Sequence, residues 1–422
     1  MSICLKIFNY KKITLDIMVR PPNKKNEEHP VIKNADLFYK RLKEMTKKHP
    51  KPKEDFFGAA PNLFVGRYGY PKVNVGILSN ENVNQDYDSP KTWYNKGFDI
   101  PKIVSMRSFL INSNQKMKVK SFNDRLKDMM QEVGMAKKPV DVEVNLKKKP
   151  HYKLEVDRDI TPYGPSVKLK KAQVTENPKI PTKVEKVYSD TDLKATEAVN
   201  YLSKHEFDEH YLTKLLSAGT LGVKNQRKMV PTRWSITATD DMLGKKNIKK
   251  IKDYHNRTDY KLYYGHYMGN YYIIMFFPEI WSYELFETYM PNEAWKMDEL
   301  KTFTDYEGYE GRKKYAFNTV GGYYAARLPV TEHLVNKKRQ GSALLLRFVT
   351  DEYWVPLGVW VVRQTVRRTL ENKPMAFGSK ELMFKYARSL LAKKFNYNVD
   401  RLLNRSKLLK EMKSQMKISS YF

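Results

Sequence analysis

Two aromatic-rich runs between Tyr260 and Phe277 flank the dipeptide Gly269-Asn270. Glycine leading a two-residue connection tolerates the positive φ that tight hairpins need, and tyrosine and phenylalanine favour pleated strands. The segment therefore predicts a β-hairpin, which excludes an all-helical fold. Pro278 directly afterwards is placed to start a helix carrying Trp281, Leu285 and Phe286.

The flanking segments decide the class. Val140, Val142, Val144 and Leu146 alternate with Asp141, Glu143 and Asn145, the pattern of a half-buried strand. Asn62 to Leu78 reads as strands broken by glycine turns, and Ala343 to Val349 as an apolar strand. Helices are expected from Asn34 to about Lys48, from about Phe122 to a cap near Gly134, over Asp192 to Lys204 and over Glu206 to Ser217. Two more are expected from Pro356 to Leu370 and from a Ser379 cap to Phe395. Pro162, Pro165, Pro178 and Pro181 mark an extended connection. Strands and helices mix without strict β-α alternation and without an internal repeat, so the expected class is α+β, with mixed sheets around the aromatic hairpin.

Hydrophobic residues make up 41% and aromatics 13% of the 422 residues, enough to build a core. No run of about 18 apolar residues occurs, and Met1 to Lys11 lacks a signal-peptide core, so a soluble, cytoplasmic protein without a membrane partner is expected. Lys+Arg exceeds Asp+Glu by 77 − 47 = 30. Such a surplus draws polyanions, above all nucleic acid, although heat-adapted proteins also carry lysine-rich solvated surfaces. Cys4 is the one cysteine, which excludes a disulfide within the chain and a zinc site built on thiolates.

The last eight residues, Gln415 to Phe422, form a peptide of the kind that docks on a sliding clamp. In one turn of 3₁₀ helix Ile418 and Tyr421 eclipse on one face with Phe422 beside them, a three-pronged apolar plug, while the Gln415 amide anchors by hydrogen bonds. Two bulky aromatics at a chain end have nothing of their own to bury against, which points to a partner, the sliding clamp.

Other motifs are less specific. Gln226 to Ser235 combines Arg227, Lys228 and Arg233 with hydroxyls and Trp234, as a phosphate-gripping strip with a stacking platform does, or as a buried tryptophan among solvated lysines does. Asp240 and Asp241 follow, a pair suited either to Mg²⁺ in phosphodiester chemistry or, more commonly, to a helix cap. Gly244-Lys245-Lys246 lacks the upstream glycine of a phosphate loop. On the Pro356 helix, Val359, Val362, Val366 and Leu370 form an apolar stripe. Arg363 and Arg367 lie four apart on another face near Arg368, suited to phosphates or to an ordinary solvated surface. His205 and His210 are five apart, one more than a helical zinc pair needs. Neither a nucleophile-elbow serine nor a CxxC pair is present.

Taken together, Phe64 to Pro71 with Val73 to Gly76, Pro231 to Ala238 with Asp240-Asp241, Pro356 to Trp360 with Arg363, and the terminal peptide resemble the archaeal Nre family of DNA repair proteins. The resemblance spans nearly the whole chain. It implies a basic lead-in over 1–30, an N-terminal domain over 31–290, a C-terminal domain over 291–398 and a basic tail over 399–422. It also implies DNA damage repair and contact with PCNA, at the nucleoid. Arg67, inside the first string, and Lys245 join Arg227, Lys228, Arg233, Trp234, Arg363, Arg367 and Arg368 as candidate nucleic-acid contacts. Many family members begin with a four-cysteine zinc motif. Here Ile7 stands where the second cysteine is expected and Ile13 to Pro21 supplies none, so zinc is not carried over, and Met18 is an alternative start. Three functions fit: a DNA-binding protein tethered to the clamp, a repair enzyme using Asp240, Asp241 and Mg²⁺, and a scaffold bridging the clamp to other repair factors.

Overall fold

The structure, a computed structural model, describes residues 53–120, 124–151, 153–291 and 299–414, with Lys40, Lys43 and Glu44. The expected Asn34 helix and the Gln415 to Phe422 peptide thus fall almost wholly outside the described residues. The fold is α+β. Its described residues fall into two compact units, one running up to Leu243 and including Val355–Trp360, the other Gly244–Trp354 with the described residues from Val361 onward.

The first unit is built on a closed barrel of β1 (Asp55–Val65), β2 (Lys72–Asn80), β3 (Ile111–Lys118), β4 (Val140–Leu146) and β5 (Ser166–Val174). Its order is β1-β2-β3-β5-β4, with β3 and β5 parallel and every other pair antiparallel. Period-2 alternation sends Val73, Val75, Ile77, Val140, Val142 and Val144 into the barrel. Helix α1 (Pro90–Asn95) and α2 (Ile100–Phe109) connect β2 to β3, and α3 (Arg125–Met135) connects β3 to β4. Met129, Met130 and Val133 of α3 join the barrel core. Five strands in this order, with a helix between β3 and β4, have the connectivity of the OB barrel. Gly134 does not cap α3, contrary to the sequence reading. A Cβ there would meet the Ala218 Cβ at 2.6 Å, so the glycine serves close helix packing, and Ala136 caps the helix. The proline-marked connection holds β5. Beyond it run α4 (Thr182–Ser189), α5 (Ala195–Lys204), α6 (Glu209–Ala218) and α7 (Thr232–Ile251).

The second unit is a six-stranded sheet, ordered β11-β6-β7-β10-β8-β9. Its strands are β6 (Tyr260–Tyr267), β7 (Asn270–Phe277), β8 (Ser282–Tyr289), β9 (Lys301–Glu307), β10 (Ser342–Val349) and β11 (Met375–Phe377). Helix α8 (Gly321–Lys337) brings His333 against Tyr263 and Phe276 on one face. After α9 (Trp360–Glu371), helices α10 (Lys380–Phe395), α11 (Asp400–Leu403) and α12 (Lys407–Ser414) cover the other, where Met383, Leu391, Leu402 and Leu408 pack on Ile273, Leu344 and Leu346. Ser379 caps α10 as expected, its hydroxyl accepting from the Leu382 N–H.

Three local expectations are corrected. The hairpin turn is Met268-Gly269, one residue earlier than read, with φ of +47° and +69°. Asn270 is instead the first residue of β7, held there because its Oδ1 accepts from Arg347 Nε and Nη2 at 3.0 and 2.5 Å. The segment after Pro278 is β8 and not a helix, because both faces of that central strand are covered and its residues show no alternation. Pro356 lies in a loop, and α9 begins at Trp360 after Gly358 turns the chain at φ +90°.

Candidate functional site

The strand alternation that buries Val73 and Met117 turns Lys72, Asn74, Lys116 and Lys118 outward. The register sets Lys72 opposite Lys118 and Asn74 opposite Lys116. β5 runs beside β3 and adds Lys168 and Lys170 to the same surface. The Lys168 amine donates to Asn74 Oδ1 at 2.8 Å and to Asn114 Oδ1 at 2.9 Å, both neutral acceptors. Burial, then Lys116 and Lys147, hold its pKa below the ordinary lysine range. Like charges facing each other across strands cost stability, so this face is suited to an anion from outside. The β1–β2 loop borders it. Tyr68 there is 81% exposed, with the Arg67 guanidinium 5.1 Å from its ring centre.

The contacts predicted in the first unit are placed in different ways. Tyr70 and Trp234 pair at 5.1 Å, and Lys228 sits 5.9 Å from the Tyr70 ring, so Arg67, Lys228 and Trp234 gather beside the loop. Arg233 belongs to the same neighbourhood but faces Asp159 and Asp157 at 2.6 and 3.5 Å. Arg227 is committed to backbone: its nitrogens donate to the Gly222, Tyr188 and Asp190 carbonyls at 2.6, 2.7 and 2.7 Å.

In the second unit, Arg363 is only 3% exposed and offers phosphates no surface, because α9 is buried well beyond its valine stripe, at Thr365 and Thr369 too. Arg367 grips Glu332 with Nε and Nη2 at 3.0 and 3.1 Å. Arg368 is exposed near Tyr267, and Lys245 is exposed on α7. Asp240 and Asp241, 0% and 5% exposed, lie in the middle of α7. They do not cap that helix, and both are buried. Among the described residues, no group of three or more His, Cys, Asp or Glu is placed to hold a metal ion.

What the sequence reading missed is a cavity of about 370 Å³ in the first unit. Asn62 and Phe64 of β1, Asp88, Arg107 of α2, and Phe207, Tyr211 and Lys214 around α6 line it. Arg107 donates to Asp88 Oδ1 and to the Pro162 carbonyl, both at 2.6 Å, and Asn62 also donates to Asp88. Burial lowers the Arg107 pKa, opposed by Asp88. Tyr163, 4.7 Å from Phe64, and Tyr211 both have phenol pKa values raised by burial. Asp208 caps α6, accepting from the His210 and Tyr211 N–H groups, and the turn at Glu206 sets both His205 and His210 among the lining residues. Lys214 lies on the buried face of α6 with Leu212, Leu215 and Ala218. Its amine donates to the Ala136 carbonyl at 2.8 Å, and burial pulls its pKa down to about 8, opposed by Asp88 and Asp208. A lysine inside an apolar helical stripe was the one signal in the sequence that pointed here.

Barrel, lysine face and cavity define an α+β protein organised around an OB-type barrel. Comparison with known proteins then gives its family. Residues 33–296 match the family described as Archaeal Nre, N-terminal, and 307–421 match Archaeal Nre, C-terminal. The chain is 38% identical to DNA repair protein NreA of Haloferax volcanii over 327 residues, 75% of this chain and 78% of that one. It is 40% identical to DNA repair protein NreA of Archaeoglobus fulgidus over 322 residues, covering 76% and 81%. With DNA repair protein NreB of the same organism it shares 36% over 361 residues, covering 84% and 89%. No solved structure matches. The chain belongs to the archaeal Nre family.

Proposed function

We propose that this protein works in DNA repair, binding DNA on the lysine face of its barrel while the Gln415 to Phe422 peptide tethers it to the sliding clamp PCNA. It does so in the cytoplasm, at the nucleoid. The relatives named as DNA repair proteins support the general role. The observation that carries DNA binding is the outward face of β2, β3 and β5, where Lys72, Lys116, Lys118, Lys168 and Lys170 stand together. In OB barrels the β2–β3 face and the β1–β2 loop bind oligonucleotides, and Tyr68 on that loop, with Arg67 against it, is an exposed stacking surface. Single strands are therefore the favoured ligand. Tethering raises local concentration, into the millimolar range for a short flexible link (~1 mM), so modest intrinsic affinity suffices.

The test is fluorescence anisotropy on an oligothymidine and on a duplex across a salt series. Lys116→Glu with Lys168→Glu lowers affinity for the single strand at least about tenfold. It also flattens the salt slope by roughly one to one and a half units, two contacts at about 0.7 each. Unchanged affinity and slope move DNA off this face.

A further inference from the structure

We propose that the cavity of the barrel unit is a covalent site for an aldehyde-bearing sugar phosphate, such as an abasic nucleotide in DNA exposes, with the ε-amine of Lys214 as nucleophile. The delivery of an abasic strand rests on the DNA-binding reading above, whereas the amine and its cavity do not.

The volume, about 370 Å³, lies within the range that holds small ligands, roughly 300–1,000 Å³. The walls carry two ring pairs, Phe64 with Tyr163 and Phe207 with Tyr211, apolar surfaces for a deoxyribose or its neighbouring base. Lys91, Lys137 and Lys138, all exposed, belong to the lining and supply cations for the phosphate. Lys214 is buried among them on α6, with a single hydrogen bond, to the Ala136 carbonyl.

A neutral amine can donate one N–H to that carbonyl and keep its lone pair for a carbon. Because burial brings the pKa to about 8, the neutral fraction at pH 7.5 is roughly two hundredfold that of an ordinary lysine. Desolvated lysines are the ones that form imines.

The step balances without an oxidant. The nitrogen lone pair forms a bond to C1′ as the carbonyl π bond opens to a carbinolamine. Its hydroxyl then takes a proton from solvent and leaves as water, while the nitrogen lone pair closes a C=N bond that keeps one N–H, the iminium cation. Asp88 and Asp208 act on Lys214 as negative charges and favour the iminium cation that forms. If Lys214 served only to hold the Ala136 carbonyl after α3, no bond to carbon would form.

The full chain is incubated at pH 7.5 with cyanoborohydride and either 2-deoxyribose 5-phosphate or a single-stranded oligonucleotide bearing one abasic site. Peptide mapping then locates the reduced adduct. The expected result is labelling of Lys214 at least tenfold above any other lysine, cut at least tenfold in Lys214→Arg and Lys214→Met. Labelling by both probes assigns the site to abasic DNA; labelling by the free sugar phosphate alone assigns it to small sugar phosphates. The sugar-phosphate arm needs no DNA binding, so it separates failure here from failure of the DNA reading. Adducts spread over surface lysines, or centred on Lys137 or Lys138, overturn the proposal, and mapping on the parent chain decides this even if a variant fails to fold.

Discussion

Arg233 and Asp159, 74 positions apart in the chain, meet through a 2.6 Å hydrogen bond from Nε to Oδ2. Asp157 stands beside them, its Oδ2 lying 3.5 Å from both Arg233 and Arg67. The start of α7, the β4–β5 connection and the β1–β2 loop are thereby tied together at the edge of the lysine face. Asp159 is buried, so removing its cation leaves a carboxylate without its closest charge partner.

Arg233→Ala should therefore lower unfolding free energy by about 2 to 3 kcal/mol, discounted from a fully buried pair because Arg233 keeps some solvent contact. Urea denaturation measures it. A loss under about 0.5 kcal/mol would class the pair with ordinary surface ion pairs and return Arg233 to the phosphate contacts.

Arg363 and Arg367 invite the opposite expectation from the one their sequence spacing suggests. Arg363→Ala empties a buried position and should destabilise the chain by about 2 kcal/mol or more, while leaving the salt slope of DNA binding where it was. Arg367→Ala breaks a partly exposed pair with Glu332 and should cost under about 1 kcal/mol. Thermal melts and the anisotropy series separate the two effects. A slope flattened by the Arg363 change alone would bring α9 back into the interface.

The sequence made legible those elements that have one wet face. Alternation along Val140 to Leu146 and the Ser379 cap are local signals, and both features form as read. Covered elements hide themselves. Every residue of β8 is buried, so Ser282 to Tyr289 carries neither a period of two nor of 3.6, and Pro278 tipped the reading towards a helix. Arg363 misled for the same reason, since a four-residue spacing says which residues share a face but not whether that face meets water. Apart from Lys214 in its apolar stripe, the cavity left no trace for a different reason: Asn62, Arg107 and Lys214 converge only through tertiary packing.

The terminal peptide lies outside the described residues, and its test is binding. Deleting Gln415 to Phe422 should abolish clamp affinity and leave thermal stability unchanged. Alanine at both Tyr421 and Phe422 should cost at least about 3 kcal/mol, more than a hundredfold, because aromatics filling a pocket dominate such interfaces. Gln415→Ala should cost less, as water replaces part of a lost polar contact. Calorimetry with the purified clamp decides it, and equal affinity from parent and truncated chains would dismiss the tether.

Lys214 gives the sharpest dependence on pH. Its amine is pulled down to about 8 in the folded chain, against about 10.4 when unfolded. Between those values the unfolded chain binds the extra proton, so stability rises as pH climbs from about 8 towards 10. Below about 8 both states are protonated, and the folded one carries the full penalty of a buried charge, about 3 kcal/mol. Lys214→Met removes that titration. Measured against the parent by denaturant unfolding at several pH values, the variant should compare best near neutral pH, and its relative advantage should shrink by about 2 to 3 kcal/mol as pH approaches 10. The lost hydrogen bond to Ala136 shifts the difference at neutral pH but hardly alters its slope. Curves that stay parallel from pH 7 to 10 would mean that Lys214 titrates like a solvated lysine, and it would then have no advantage as a nucleophile over the lysines at the surface.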